Sequence, residues 1–288
     1  MVDIARAVNE WFVTNRRDLP WRAPDFGAWG ILVSEIMLQQ TPVARVIPRL
    51  EQWLARWPAP ADLAASPPGD AVRAWERLGY PRRALRLHAA AVAITERHGG
   101  VVPSDVDELL SLPGIGDYTA RAVAAFAFGL RHPVVDTNVR RVIARAVDGQ
   151  AEAGPPSTRR DLAAMEALLP LDERDARLFN AGMMELGAIV CTARAPRCDA
   201  CPIADLCAWR ADGYPVYEGP RAAVQAAFEG SDRQVRGLIM AELRGSDIPV
   251  TPAEIETLWP DAAQRDRALA GLLADGLAVP VPGGYELP

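Results

Sequence analysis

The chain contains no lysine; all 31 of its basic residues are arginine. No lysine side chain is therefore available to form a Schiff base, and chemistry that runs through a lysine imine is excluded. The same bias toward alanine and arginine fits a GC-rich coding sequence. Positive charge is not in excess either: the net charge is −6 and the isoelectric point about 5.2. Binding to a polyanion would then rest on local basic patches, not on a global field. No run of about 18 apolar residues occurs, so no transmembrane helix and no membrane partner are expected. Residues 1–21 show no apolar stretch followed by a cleavage site, so no secretory signal is read and a cytoplasmic location is expected. What the chain does have is length and apolar content. With 288 residues, half of them hydrophobic, it can build one large domain or two modest ones.

Periodicity divides the chain. Ile4, Ala7, Val8, Trp11 and Phe12 recur at helical spacing and predict a helix over 3–15, broken by Leu19-Pro20-Trp21-Arg22. Helices follow over 28–40, 43–56, 69–77, 83–98 and 104–111, with Pro42 at the first boundary and Ser104 and Asp107 resembling a capping box after Pro103. Further helices are expected over 118–130, 136–147, 158–168 and 173–189. No strand-like alternation appears before residue 230, so the first 210 residues read as all-α. Residues 211–229 are rich in Gly, Pro and Ala and read as a linker. Helices near 231–243, 252–259 and 261–274, then a hairpin around Gly283-Gly284, suggest a small α+β winged-helix-like unit over 230–288.

All four cysteines fall within 17 residues, as Cys191, Cys198, Cys201 and Cys207, in the pattern C-x6-C-x2-C-x5-C. In a cytoplasmic protein this points to metal and away from disulfides. Spacing alone leaves structural zinc and an iron–sulfur cluster equally open.

Upstream, Leu112-Pro113-Gly114-Ile115-Gly116-Asp117-Tyr118 is a tight turn ahead of an apolar helix. Two glycines there would expose backbone N–H groups at a helix N-terminus and so seat a phosphate without side-chain charge, although an ordinary helix connection reads the same way. Asp136, in Val135-Asp136-Thr137-Asn138-Val139, reads in isolation as a helix N-cap, and an N-capped carboxylate is expected to stay ionised. Glu35 lies in an apolar helix beside Ile36, Met37 and Leu38. Buried, its pKa would rise far enough to carry a proton near neutrality; alternatively it faces solvent or pairs with an arginine.

Five motifs in order carry a resemblance: Arg17-Asp18-Leu19-Pro20-Trp21-Arg22, then Ser34-Glu35-Ile36-Met37-Leu38-Gln39-Gln40-Thr41, then Leu78-Gly79-Tyr80-Pro81-Arg82-Arg83, then the Gly114–Gly116 turn with Val134–Arg141, then the cysteine loop. Together they resemble the helix-hairpin-helix DNA glycosylases of the endonuclease III superfamily, and within it the MutY-type adenine glycosylases, over roughly residues 5–210. The resemblance implies a two-part all-α core over 1–210, its six-helix part near 23–132 and its cluster part near 1–22 and 133–210. It also implies a [4Fe–4S] cluster on the four cysteines and, as partner for a monomer, double-stranded DNA containing a mismatch. It assigns Glu35 and Asp136 to catalysis, with Asn138 and Tyr118 beside them. It places Arg17, Trp21, Arg22 and Leu38 around the adenine. Gln40, Thr41, Leu78 and Tyr80 would meet the opposite base, Leu78 and Tyr80 being equally readable as core residues. Gly114 and Gly116 would face the DNA backbone. Lysine-dependent members carry that lysine where Tyr118 stands, so a monofunctional hydrolase is expected. Two departures stand out. Ala181 replaces the Glu or Gln common there, and residues 230–288 are too short for the usual domain that reads 8-oxoguanine. A thymine or uracil mismatch glycosylase and a catalytically inert DNA-binding or redox-sensing protein are the alternatives.

Overall fold

The computed structural model describes residues 2–220 and 227–288; part of the expected linker, 221–226, lies outside the described residues. Helices dominate. They are α1 (Val2–Asn15), α2 (Ala28–Leu38), α3 (Val43–Arg56), α4 (Pro60–Ala64), α5 (Pro68–Trp75), α6 (Arg82–His98), α7 (Val106–Leu110), α8 (Asp117–Phe128), α9 (Thr137–Ala146), α10 (Thr158–Glu166), α11 (Glu173–Ile189), α12 (Ala208–Ala211), α13 (Asp232–Gly245), α14 (Pro252–Thr257) and α15 (Ala262–Ala274). The strands β1 (Val279–Val281) and β2 (Gly284–Glu286) form an antiparallel pair, Val279 opposite Glu286. Among the described residues no helix is long and apolar enough to cross a membrane.

Two short helices, α4 and α12, were not expected from the sequence. The start of α7 also differs from the expectation. Asp105, not Ser104, accepts the N–H groups of Asp107 and Glu108, at 2.9 and 3.0 Å.

The chain forms two compact units. The first comprises the described residues of Met1–Ile31, Ser104–Leu110 and Ile115–Ala223. Its core joins α1, α9 and α11 through Val8, Val139, Val142, Met165, Phe179, Met183 and Leu186. The helix α11 starts where the Asp172 carboxylate accepts the Asp175 N–H.

The second unit comprises the described residues of Leu32–Pro103, Ser111–Gly114 and Val224–Pro288. Here α6 packs on α4 and α5, and Trp53 meets Trp57 and Trp75 edge-to-face with ring centroids 4.7 and 5.7 Å apart. The C-terminal helices belong to this unit. Val250 bridges to Tyr285 beside the hairpin. Arg73 donates to the carbonyls of Arg244 and Ser246, and Asp275 pairs with both Arg82 and Arg236.

Candidate active site and cysteine loop

In the first unit, Asp136 caps α9 from an extended backbone. One carboxylate oxygen accepts the Val139 N–H at 2.7 Å and the other accepts Asn138 Nδ2 at 2.8 Å. The line continues: Asn138 Oδ1 accepts from Arg141, which donates in turn to the carbonyls of Gly187 and Cys191, each contact 2.7–2.8 Å. Asn138 reaches this position only because residue 187 is glycine. A Cβ there would lie 2.7 Å from the Asn138 Cβ and 2.9 Å from its carbonyl oxygen. Capping and burial act on the Asp136 charge in opposite directions. Burial pushes the Asp136 carboxyl above the ordinary aspartate range, and the bonds from Val139 and Asn138 only partly offset it. Tyr118, on α8, packs partly buried against Ala122, Ala125 and Val134 in the same unit.

Arg17 and Arg22 are brought together by a residue that the sequence reading missed. Glu185 on α11, its side chain 1% exposed, takes a forked pair of bonds from Arg17 at 2.8 Å and one from Arg22 at 2.9 Å. Burial would raise this carboxyl, but the two guanidinium groups outweigh it and hold the pKa at about 2. The available signal was the same as for Glu35: a lone carboxylate inside an apolar helix, here Met183-Met184-Glu185-Leu186. Trp21 sits half-buried in the 3-10 turn Pro20–Arg22. Arg16, Arg17, Asp18 and Arg22 line an open cleft with Ala23 and Pro24.

In the second unit Glu35 is 4% exposed, which rules out the solvent-facing alternative. Leu38 ends α2, half-buried. Gln40 is exposed, with a left-handed φ of 54°. Thr41 and Leu78 are buried and meet, the Thr41 hydroxyl donating to the Leu78 carbonyl at 3.2 Å. Tyr80 is 53% exposed and also left-handed, φ 47°. Gly114 has φ 77°, and a Cβ there would meet the Arg86 Cβ at 2.6 Å, so glycine is obligatory. A Cβ on Gly116, which caps α8 in the first unit, would meet open space.

Cys191, Cys198, Cys201 and Cys207 are free thiols that line one cavity with Val142, Arg145, Leu186, Ile203 and Trp209. No group of described His, Cys, Asp and Glu residues is arranged to hold a single metal ion. Four thiols around a shared cavity fit a larger, polynuclear group. Arg145 reinforces the site: it donates to the Cys191 sulfur at 3.4 Å and to the carbonyls of Thr192 and Ala193, and it lies over the Trp209 ring. Burial pushes the Cys191 and Cys201 thiols up, Cys201 to about 11, so loading this site must release protons.

Comparison with known proteins agrees with this geometry. The family model described as HhH-GPD superfamily base excision DNA repair protein matches residues 33–165, and the iron-sulfur binding domain of endonuclease III matches residues 191–207. The solved structure of a thermostable thymine-DNA glycosylase superposes with a TM-score of 0.67 at 30% identity, covering 73% of this chain and 95% of that one. Fold and site thus define a base-excision DNA repair protein with an iron–sulfur domain. Two relatives refine this. An adenine DNA glycosylase of Mycobacterium tuberculosis is 55% identical over 280 residues, 96% of this chain and 91% of the relative. A thymine/uracil-DNA glycosylase of Pyrobaculum aerophilum is 35% identical over 202 residues, 69% of this chain and 87% of the relative. The chain belongs to the MutY-type adenine DNA glycosylase family.

Proposed function

We propose that this protein hydrolyses the N-glycosidic bond of adenine mispaired with 8-oxoguanine or guanine in double-stranded DNA, acting as a monomer and without a lysine lyase step. Adenine must leave the base stack to be reached. It is a poor leaving group until protonated, and positive charge develops on the deoxyribose as the bond breaks. Glu35 donates a proton to adenine N7. The C1′–N9 electron pair then departs with the base, and the Asp136 carboxylate stabilises the oxocarbenium-like sugar. Water adds to C1′ and its proton returns to Glu35. Asn138 orients Asp136, and Tyr118 lines the same nucleotide site. Arg17, Trp21, Arg22 and Leu38 surround the extruded adenine, with Glu185 fixing both guanidinium groups. Gln40, Thr41, Leu78 and Tyr80 attend to the opposite base, and Gly114 and Gly116 to the phosphate backbone. Cys191, Cys198, Cys201 and Cys207 would hold a [4Fe–4S] cluster, which supplies a structural node for the loop.

The observation that carries the reading is Asp136: a burial-raised carboxylate held by the Val139 N–H and Asn138. The missing lysine carries the monofunctional part. Borohydride added during turnover tests it. No covalent protein–DNA adduct and an intact abasic strand are expected; an imine-trapped adduct contradicts it. The likeness to thymine-DNA glycosylases favours one rival, release of thymine or uracil from mismatches with guanine.

A further inference from the structure

Two loops of the second unit hold non-glycine residues at positive φ: Gln40 between α2 and α3, and Glu76 and Tyr80 between α5 and α6. Such backbone costs on the order of 1 kcal/mol per residue and persists only where its surroundings over-determine it. One side chain reaches both loops. Arg83, 7% exposed, donates through Nη1 to the Ile36 carbonyl at 2.9 Å and to the Gln39 carbonyl. Through Nη2 it donates to Thr41 Oγ1 at 3.2 Å and to the Gly79 carbonyl at 3.0 Å. Its guanidinium also lies 5.5 Å from the Trp75 ring centroid and 5.3 Å from that of Tyr80. Thr41 closes the circuit, accepting from Arg83 and donating to the Leu78 carbonyl. The Arg83 Nε is buried without a partner. An arginine buried at that cost is a poor stabilising device, and its geometry is better explained by what it aligns.

We propose that Arg83 is a positioning residue that ties the 38–42 loop to the 78–80 loop, so that Gln40 and Tyr80 meet the mispair as one rigid pair. The inference rests on the adenine-mismatch reading above. A planar fork with five donors can serve carbonyls on two loops at once; a lysine ammonium cannot reproduce that spread.

The test compares wild type with Arg83→Lys, Thr41→Val and Thr41→Ser. It measures dissociation constants for an uncleavable adenine analogue opposite 8-oxoguanine and opposite thymine, single-turnover adenine release, and Tm. For Arg83→Lys the preference for mispair over matched pair falls about tenfold or more, and this exceeds the fall in the saturated release rate. Thr41 is 7% exposed and its hydroxyl is engaged by Arg83 and the Leu78 carbonyl, so Thr41→Val breaks that joint and moves the same ratio the same way by about threefold, while Thr41→Ser, which keeps the hydroxyl, leaves it near wild type. Thr41→Val decides the matter if Arg83→Lys does not fold. A merely structural arginine would lower Tm and the active fraction and leave the ratio intact. Ratios within twofold of wild type in folded Arg83→Lys or Thr41→Val therefore overturn the coupling. Wild-type protein that releases no adenine overturns the underlying reading, and the inference with it.

Discussion

Replacing Asp136 by asparagine separates what the residue does for the fold from what it does for chemistry. The amide still accepts the Val139 N–H, so the cap survives. The folded-state pKa of Asp136 is raised, so the native state binds its proton more tightly than the unfolded chain does. Stability is consequently lost as pH rises through the window above the ordinary aspartate value, and the loss persists at neutrality. Asp136→Asn sets its amide nitrogen against the Asn138 Nδ2 donor, which offsets the gain from removing the buried charge, so Tm at pH 7, read by thermal unfolding, is expected to change little while adenine release falls about 10²–10³-fold. Glu185 has the opposite sign. Its pKa is depressed to about 2, so its contribution is complete above the ordinary glutamate range and is lost as pH falls toward that value. Glu185→Gln should cost about 2–3 kcal/mol in denaturant unfolding at pH 7 and little near pH 2, and should raise KM by releasing Arg17 and Arg22. Asp136 was legible in the sequence because its cap and its motif coincide at one position. Glu185 was not, because Arg17 lies 168 residues away and no local pattern links them.

At the scale of elements, close helix packing places the polar groups. The helix α11 passes α9 at Gly187, where any side chain collides with the backbone of Asn138, and passes α1 at Gly182, where a Cβ would lie 2.7 Å from Val8. Gly187→Ala is expected to destabilise the protein by about 1–3 kcal/mol and to lower adenine release more than the loss of folded protein explains, because Asn138 is displaced from Asp136. Circular dichroism with single-turnover kinetics checks both parts. The long helices were legible because their apolar residues repeat at 3.6. The helix α7 was legible as a helix but not at its cap, since Ser104 and Asp105 are both competent acceptors and only the turn geometry chooses Asp105. The Arg83 network was legible only in its arginine, which stands in the Leu78-Gly79-Tyr80-Pro81-Arg82-Arg83 motif. It engages carbonyl groups of two loops, and carbonyls have no sequence signature.

At the scale of the whole molecule, the cysteine loop and the Asp136 line meet at Cys191: Arg141 bonds its carbonyl while Arg145 bonds its sulfur. Stripping the iron with a chelator should bleach the visible absorption, lower Tm by several degrees and lower adenine release in parallel. Unchanged Tm after complete bleaching would remove the structural role of the cluster. An acidic chain that acts on DNA must concentrate its contacts, and on the proposed reading the Gly114–Gly116 turn would offer backbone N–H groups to a phosphate without net charge.

The account stands on Glu35 and Asp136 serving opposite needs of one extruded adenine. The most direct measurement is base release from a panel of duplexes bearing A·8-oxoG, A·G, T·G and A·T pairs, run with wild type, Glu35→Gln and Asp136→Asn. Free adenine from the first two duplexes by wild type alone, with no thymine from T·G, is the predicted result. Thymine release, or undiminished adenine release by either variant, would contradict it.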